Sequence, residues 1–311
     1  MIVRGQSCAR RERELTAEPV CKLISELGEG PRWDPEDRAL VWVDVPSTLM
    51  HRLDLNGAVT TVQLSTRVSA IGLCVSGHRY VAATEFGFGF VDPMTGSVEP
   101  IVTVEEEALA RMNDGGVDYA GRFFAGSVSV NSEQANGSLY CLRPDGSVHR
   151  VFGDVRLSNG IGWSADSRNM YYVDTLRRSL DRFDYDIVTG AVHGRRTIVD
   201  FQDDDGLPDG LCLDAEDRIW VAMWGGRAVR CYAPTGEVVR IVRVPCDNVT
   251  ACIFGGREND TLYVTSATTG TEKCTSAGKL FACRIGGQGA TVARFDDRRW
   301  PIGPSRLPTA R

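Results

Sequence analysis

The chain has 311 residues, of which 41 are Asp or Glu and 35 are Lys or Arg, so its formal net charge at pH 7 is −6. Nucleic acids and anionic membrane surfaces bind clustered Lys and Arg, and this balance therefore argues against both as partners. No stretch reaches the roughly 18 apolar residues of a membrane-spanning helix, and no secretory signal opens the chain. We expect a soluble cytoplasmic protein that binds a small molecule, a cation or a protein.

Cysteine and histidine spacing excludes two further classes. The ten cysteines contain no C-x-x-C pair, and the four histidines contain no H-x-H or H-x-x-x-H pair. A disulfide scaffold or a metal site built from thiols or imidazoles is therefore not predicted.

The predicted elements begin with a charged segment over residues 1–17, which we expect to be a mobile extension, and a single domain follows over residues 18–311. A strand is predicted at Val20–Glu26. A strand–turn–strand phrase then recurs, with clear copies in "GPRWDPEDRALVWVDV", "GIGWSADSRNMYYVDT" and "DGLCLDAEDRIWVAMW" and weaker copies between and after them. Val104–Met112 is the only helix-like stretch.

One anchor residue precedes the polar turn of each copy. The anchors are Trp33, Leu73, Val117, Trp163, Leu213 and Ile253, at intervals of 40, 44, 46, 50 and 40 residues. A four-stranded propeller blade spans about 40–50 residues. The period predicts an all-β, six-bladed propeller with four-stranded antiparallel blades, closed by Val20–Glu26 as a strand of the last blade. A β-sandwich built of hairpins is the alternative.

Polar residues recur four positions before the anchors. These positions hold Glu29, Ser69, Asn113, Asn159, Asp209 and Val249. In a propeller they would face the central channel, where converging carboxylates need a cation between them. We expect one divalent cation, held by Glu29, Asn159 and Asp209.

The expected ion follows from the ligand type. We expect Ca²⁺, because carboxylate and amide oxygens are its usual ligands. The same oxygens suit Mg²⁺ or Mn²⁺, and Zn²⁺ and Fe²⁺ remain as alternatives. The alternative is that Asn159 and Asp209, each followed by glycine, only form turns. Arg111 is expected at the channel mouth, where its donors could bind a polar ligand, and Asp114 is expected to be structural.

With these residues identified, the sequence resembles the gluconolactonase, senescence-marker-protein (regucalcin) and luciferin-regenerating-enzyme family over about residues 19–296. The resemblance is carried by "LGEGPRWDPEDRALVWVD", "RMNDGGVDYAGRFFAGS", "LSNGIGWSADSRNMYYVDT" and "LPDGLCLDAEDRIWVA", among others. It implies a six-bladed propeller with one divalent cation in its channel and hydrolysis of sugar-acid lactones.

The same resemblance implies roles for particular residues. The metal ligands of the family fall on Glu29, Asn159 and Asp209, and its substrate-contacting residues fall on Arg111 and Asn113. One departure concerns a glutamate that regucalcin-like members carry in the loop after the "AGS" strand. Asn131 holds that place here, and Glu133 lies two residues further on, so both are candidate substrate contacts in a loop expected to cover the entrance.

The expected reaction is metal-dependent opening of aldonolactones, such as gluconolactone, xylonolactone or arabinolactone, with Asp209 as candidate general base. Whether Asp209 or a metal-bound water is the base stays open. Three other functions are kept as alternatives: a non-catalytic propeller that binds calcium or another ligand, a scaffold that binds proteins through its rim, and an ester or phosphotriester hydrolase on the same site. The oligomeric state, monomer or weak dimer, stays open as well.

Overall fold

A computed structural model describes residues 14–105, 110–129, 135–204, 206–270 and 274–301. Within them the chain forms six antiparallel sheets arranged as the blades of a propeller, which confirms the predicted fold class. Among the described residues no helix is long and apolar enough to cross a membrane.

Each blade contributes strands in chain order from the axis outwards. Blade 1 has β3 (Gly28–Asp34), β4 (Ala39–Asp44), β5 (Leu49–Asp54) and β6 (Val59–Gln63); blade 2 has β7 (Val68–Leu73), β8 (Tyr80–Thr84), β9 (Gly87–Val91) and β10 (Val98–Thr103); blade 3 has β11 (Ala110–Val117), β12 (Phe123–Ser129), β13 (Gly137–Leu142) and β14 (Val148–Val155). Blade 4 has β15 (Ser158–Trp163), β16 (Asn169–Asp174), β17 (Ser179–Asp186) and β18 (Ala191–Asp200), with a 3₁₀ turn at Thr175–Arg177.

The last two blades recruit the two N-terminal strands. Blade 5 has β19 (Leu207–Leu213), β20 (Ile219–Trp224), β21 (Ala228–Tyr232) and β22 (Val238–Arg243), and β1 (Glu14–Thr16) adds to its outer edge in parallel. Blade 6 has β23 (Val249–Gly255), β24 (Thr261–Ser266) and β25 (Lys279–Arg284), completed by β2 (Glu18–Ile24) as its outermost strand. The N-terminal strand β2 thus shares one blade with β23–β25 and closes the ring, as predicted.

Residues 14–17 are a correction to the predicted extension, since they belong to the propeller. β1 pairs with β22, Leu15 packs against the core between blades 5 and 6, and Ala17 is 1% exposed. The charged run ends at Glu14, and the apolar Leu15 and Ala17 that follow it bury surface. Residues 1–13 lie outside the described residues.

The helix predicted over Val104–Met112 is wrong where the structure describes it. Ala110–Met112 begin β11, and the amides of Val104 and Glu105 both donate to the Phe86 carbonyl, at 2.8 and 3.0 Å. Strand pairing at one end of the stretch and backbone hydrogen bonds at the other therefore join both ends to the sheets.

The hydrophobic core lies between the blades. Each of its six clusters draws its residues from two neighbouring blades, as where Val43 of blade 1 joins Ile71 of blade 2. Burying both faces of every sheet in this way stabilises the closed ring, because no blade can shield its apolar faces alone.

The innermost strands β3, β7, β11, β15, β19 and β23 each contact the next around the axis, and β23 contacts β3. They begin at one end of the channel, here called the mouth, and finish at the anchor residues at the other end. Residues 285–301 run across the anchor end, where Ala290 N donates to Leu213 O at 3.2 Å and Phe295 N to Leu73 O at 2.7 Å.

Candidate functional site

Pairing breaks near the mouth in all six innermost strands. The register of each with its neighbour shifts between Glu29 and Arg32, Val68 and Ala70, Met112 and Gly115, Ser158 and Ile161, Pro208 and Leu211, and Val249 and Cys252. Such bulges bend a strand and re-aim side chains. They fall beside the positions four residues before the anchors.

Glu29, which is half-buried, interacts electrostatically with the buried carboxylates of Asp209 and Asp114. The pKa of Glu29 is raised well above its usual range, first by burial and then by the charges of Asp209 and Asp114. Burial and the Asp114 charge likewise raise the pKa of Asp209. The repeat register therefore brings together carboxylates that are 180 positions apart in sequence, counting from Glu29 to Asp209.

Asn159 completes the predicted ligand set from blade 4. Its Nδ2 donates to Thr175 Oγ1 at 2.8 Å, and Thr175 Oγ1 donates in turn to the Pro208 carbonyl at 2.7 Å. Asn159 Oδ1 and Asp209 Oδ1 are both buried without a hydrogen-bond partner. Buried polar atoms without partners are costly, so this pair of oxygens suits a cation.

The chemistry of the donor set also fits a hard divalent cation. Glu29 and Asp209 supply carboxylate oxygens and Asn159 an amide oxygen, which are the ligand types of Ca²⁺ and Mg²⁺. In the described part of the chain no group of three or more His, Cys, Asp or Glu could hold a metal by itself. The candidate set therefore depends on the amide of Asn159.

The glycines after Asn159 and Asp209 serve packing rather than turns. Both dipeptides lie inside strands, and a Cβ on Gly160 would lie 2.4 Å from Leu211 N, while one on Gly210 would lie 2.6 Å from Ala251 Cβ. Adjacent innermost strands approach too closely there for a side chain. The alternative that these residues only form turns is wrong.

Arg111 and Asn113 occupy the mouth side of β11. Arg111 Nη1 donates to Met112 O and to Asn113 Oδ1, both at 3.3 Å, and Asn113 Nδ2 donates to Ser158 O at 2.8 Å. Asn113 thus ties blade 3 to blade 4. Burial lowers the pKa of Arg111, and so does the charge of Arg67, whereas the charge of Glu29 acts in the opposite direction.

The other two positions four residues before an anchor are Ser69 and Val249. Ser69 Oγ donates to Ala83 O at 3.5 Å, and Val249 is fully buried. Asn131 and Glu133 lie outside the described residues.

Sequence reasoning missed Arg32. Its Nη1 donates to Pro31 O at 2.8 Å and its Nη2 to Gly115 O. Burial lowers the pKa of Arg32, whereas the charges of Asp114, Cys212 and Glu29 oppose that change. The guanidinium therefore acts as a counter-charge to Asp114, whose own pKa is raised by burial and lowered in part by Arg32.

The repeat register contained a signal for Arg32. The residue before each anchor is Arg32, Gly72, Gly116, Gly162, Cys212 or Cys252, so only blade 1 places a long side chain there. The small residues leave a cavity of about 120 Å³ at the anchor end, which Arg32 lines together with Trp33 and Trp163. Glu29, Asn159 and Asp209 do not line this cavity, which is distinct from the cluster at the mouth.

The fold and the cluster define a six-bladed propeller with an oxygen-rich site at the mouth of its channel. Residues 27–268 match the family described as SMP-30/gluconolactonase/LRE-like region. The chain belongs to this family, as the resemblance in its motifs predicted.

Three relatives illustrate the relationship. Regucalcin of Danio rerio is 39% identical over 257 residues, covering 81% of this chain and 87% of that protein. The structure of a calcium-binding protein, regucalcin, from Agrobacterium tumefaciens superposes with a TM-score of 0.85 at 27% identity, covering 91% of this chain and 98% of the other. A luciferin-regenerating enzyme superposes with a TM-score of 0.83 at 28% identity, covering 90% and 99%. The family assignment supports lactonase activity as a class.

Proposed function

We propose that this chain is a divalent-metal-dependent lactonase that opens sugar-acid lactones to the corresponding aldonic acids. The observation that carries the proposal is that Asn159 Oδ1 and Asp209 Oδ1 are both buried and unpartnered, with Asn159 linked through Thr175 to the residue before Asp209, and Asp209 acting electrostatically on Glu29. Ca²⁺ is the expected ion, and Zn²⁺, Mg²⁺, Mn²⁺ and Fe²⁺ are the alternatives that the same oxygens accept.

Glu29, Asn159 and Asp209 would hold the cation. Once bound, a divalent ion there supplies Lewis acidity toward the lactone carbonyl and makes a nearby water more acidic. Thr175 supports this arrangement, because its hydroxyl contacts both the Asn159 amide and the carbonyl of Pro208, the residue before Asp209.

Asp209 is the proposed general base. Its carboxylate accepts a proton from the water that attacks the carbonyl carbon, and the ring C–O bond then breaks as the ring oxygen takes that proton from Asp209. Arg111 lies within electrostatic reach of Glu29 and presents N–H donors to the carbonyl or hydroxyl oxygens of the lactone. Asn113 positions Arg111 through the hydrogen bond between Asn113 Oδ1 and Arg111 Nη1.

The test is turnover of a panel of aldonolactones, followed by acid release in a weakly buffered indicator assay. Metal-stripped protein is resupplied with each divalent ion in turn, and Asp209→Asn is compared with Asp184→Asn, which removes an exposed carboxylate paired with Arg196 on blade 4. We expect metal-dependent turnover that is lost in Asp209→Asn and kept in Asp184→Asn.

Calcium binding without turnover of any lactone would overturn the lactonase proposal. It would favour a non-catalytic calcium-binding propeller, a reading supported by the printed description of the Agrobacterium regucalcin as a calcium-binding protein. Turnover of simple esters or phosphotriesters in place of lactones would instead favour a related hydrolase on the same site.

A further inference from the structure

Two arginines occupy the same place in neighbouring blades. Arg67 lies six residues before the anchor Leu73, and Arg111 lies six residues before the anchor Val117. The other four blades carry Leu27, Leu157, Leu207 and Asp247 at this position. Blades 2 and 3 alone therefore place guanidinium groups at the mouth in this register, and their innermost strands are adjacent.

Arg67 is held toward blade 3 by Glu85. Arg67 Nη1 and Glu85 Oε1 form an ion pair at 2.6 Å, and the Glu85 carbonyl accepts a hydrogen bond from Met112 N at 2.9 Å. Met112 follows Arg111 directly in β11. The ion pair thus sits where blade 2 meets the arginine of blade 3.

The two guanidinium groups affect each other. After burial, the charge of Arg67 is the largest cause that lowers the pKa of Arg111, and the charges of Glu29 and Glu85 oppose it. Interacting like charges disfavour each other's ionised state unless an anion lies between them. Glu85 is a single carboxylate beside two cations, and Glu29 belongs to the proposed metal set.

Both arginines can still donate to a ligand. The ion pair with Glu85 engages Nη1 of Arg67, and the described hydrogen bonds of Arg111 also come from its Nη1. A guanidinium carries five N–H donors in a planar fork that matches carboxylate and phosphate oxygens. The side chains of Arg67 and Glu85 are 40% and 35% exposed, so solvent and ligand reach the pair.

We propose that the substrate of this lactonase carries an anionic group, a carboxylate or a phosphate, on the end of the carbon chain remote from the scissile carbonyl, and that Arg67 and Arg111 bind this group together. The inference rests on the proposed function and specifies its substrate class. Glu85 keeps Arg67 in place in the free protein and gives way to the ligand oxyanion. A neutral aldonolactone offers only hydroxyl groups to the same donors.

The test compares three lactones of the same ring size: a neutral aldonolactone, its analogue with a terminal carboxylate, and its analogue with a terminal phosphate ester. We expect the wild-type kcat/KM for one of the anionic lactones to exceed that for the neutral one by roughly tenfold or more, since hydrogen bonds between ionised partners are roughly twice as strong as those between neutral ones. The carboxylate and phosphate arms distinguish which oxyanion is preferred.

Three variants test whether Arg67 and Glu85 determine the preference for an anionic lactone. Arg67→Gln should lower the anionic-to-neutral ratio of kcat/KM by roughly tenfold, and Glu85→Gln should raise it several-fold, because it removes the competing carboxylate. Arg196→Gln, which breaks an exposed ion pair of blade 4, is the matched control and should keep the wild-type ratio. The opposite signs at Arg67 and Glu85 separate ligand binding from loss of folding.

A wild-type ratio near one, or a ratio unaffected by both Arg67→Gln and Glu85→Gln, overturns this inference while the lactonase proposal stands. Absence of turnover on all three lactones overturns the lactonase proposal and this inference with it.

Discussion

Asn159 donates its amide Nδ2 to Thr175 Oγ1 at 2.8 Å, which turns its Oδ1 away from Thr175 and leaves that oxygen buried and unpartnered. The same hydroxyl donates to Pro208 O at 2.7 Å. One threonine on a short 3₁₀ turn therefore orients a proposed ligand of blade 4 and supports the strand that carries Asp209 in blade 5.

Thr175→Val removes both hydrogen bonds at nearly constant volume. Since partners that orient metal ligands typically contribute 10–100-fold to metal affinity, we expect the affinity for Ca²⁺ to fall by roughly tenfold. Calorimetric titration of metal-stripped protein measures the change. Thr175→Ser keeps the hydroxyl and should restore most of the affinity; equal weakening in both variants would contradict the orienting role.

The repeat period was sufficient to predict the blades and the closing strand, whereas the ligand set of Glu29, Asn159 and Asp209 stays a prediction from the position four residues before each anchor. Propeller blades repeat a local pattern of apolar strands and polar turns, so the period is readable from sequence alone. Equivalent offsets reach equivalent places around the axis, which is why Glu29 and Asp209 act on each other electrostatically although they are far apart in sequence.

Other features depend on contacts that no local pattern encodes. The parallel pairing of β1 with β22 joins segments more than 200 residues apart, and a three-residue strand has too little pattern to predict such a partner. Arg32 departs from its equivalents in one blade only, and the segment over residues 285–301 is not part of the repeat. Deviations from a repeat, such as Arg32 and Arg67, were thus the features that sequence reasoning passed over.

Arg32→Met tests whether the Arg32 guanidinium acts as a counter-charge to Asp114. The change removes the hydrogen bonds to Pro31 O and Gly115 O and the positive charge that partly offsets the burial of Asp114, so we expect a lower Tm from a loss of about 1–3 kcal/mol. Removing a positive charge near the carboxylates should at the same time tighten Ca²⁺ binding, by roughly tenfold.

Calorimetric unfolding and titration measure the two effects of Arg32→Met separately. Arg218→Met removes an ion pair with Asp214 in blade 5, and it serves as a control that should leave Ca²⁺ affinity unchanged. Weaker Ca²⁺ binding in Arg32→Met would refute the proposed electrostatic effect.

Gly160→Ala tests the close approach of β15 and β19. The added Cβ would lie 2.4 Å from Leu211 N and 2.7 Å from Leu211 Cγ, and the backbone contact cannot be relieved by rotating a side chain. We expect a loss of about 1–3 kcal/mol in the free energy of unfolding, as for other overpacked sites, and weaker metal binding through displacement of Asn159. Gly287→Ala, whose Cβ would meet only the ends of Arg218 and Glu216, is the matched control and should change stability by less than about 0.5 kcal/mol.

His51 gives the stability of the protein a pH dependence that is independent of the metal. It is 2% exposed in blade 1, with Nδ1 at 2.9 Å from Thr61 Oγ1, Nε2 buried without a partner, and its ring 5.1 Å from that of Trp42. Burial lowers the pKa of His51 below its ordinary value of 6.5, although the charge of Asp44 acts in the opposite direction. The folded protein therefore holds this ring neutral where the unfolded chain already binds a proton.

The sign of the effect follows from that difference in proton uptake. Stability from His51 is fully present above pH 6.5 and is lost as the pH falls, with a slope of at most about 1.4 kcal/mol per pH unit until the folded ring also titrates. We expect the free energy of unfolding of the wild type to approach that of His51→Gln between pH 7.5 and 5, as measured by urea denaturation of metal-stripped protein. A constant difference between the wild type and His51→Gln over this pH range would show that the buried ring does not respond in this way.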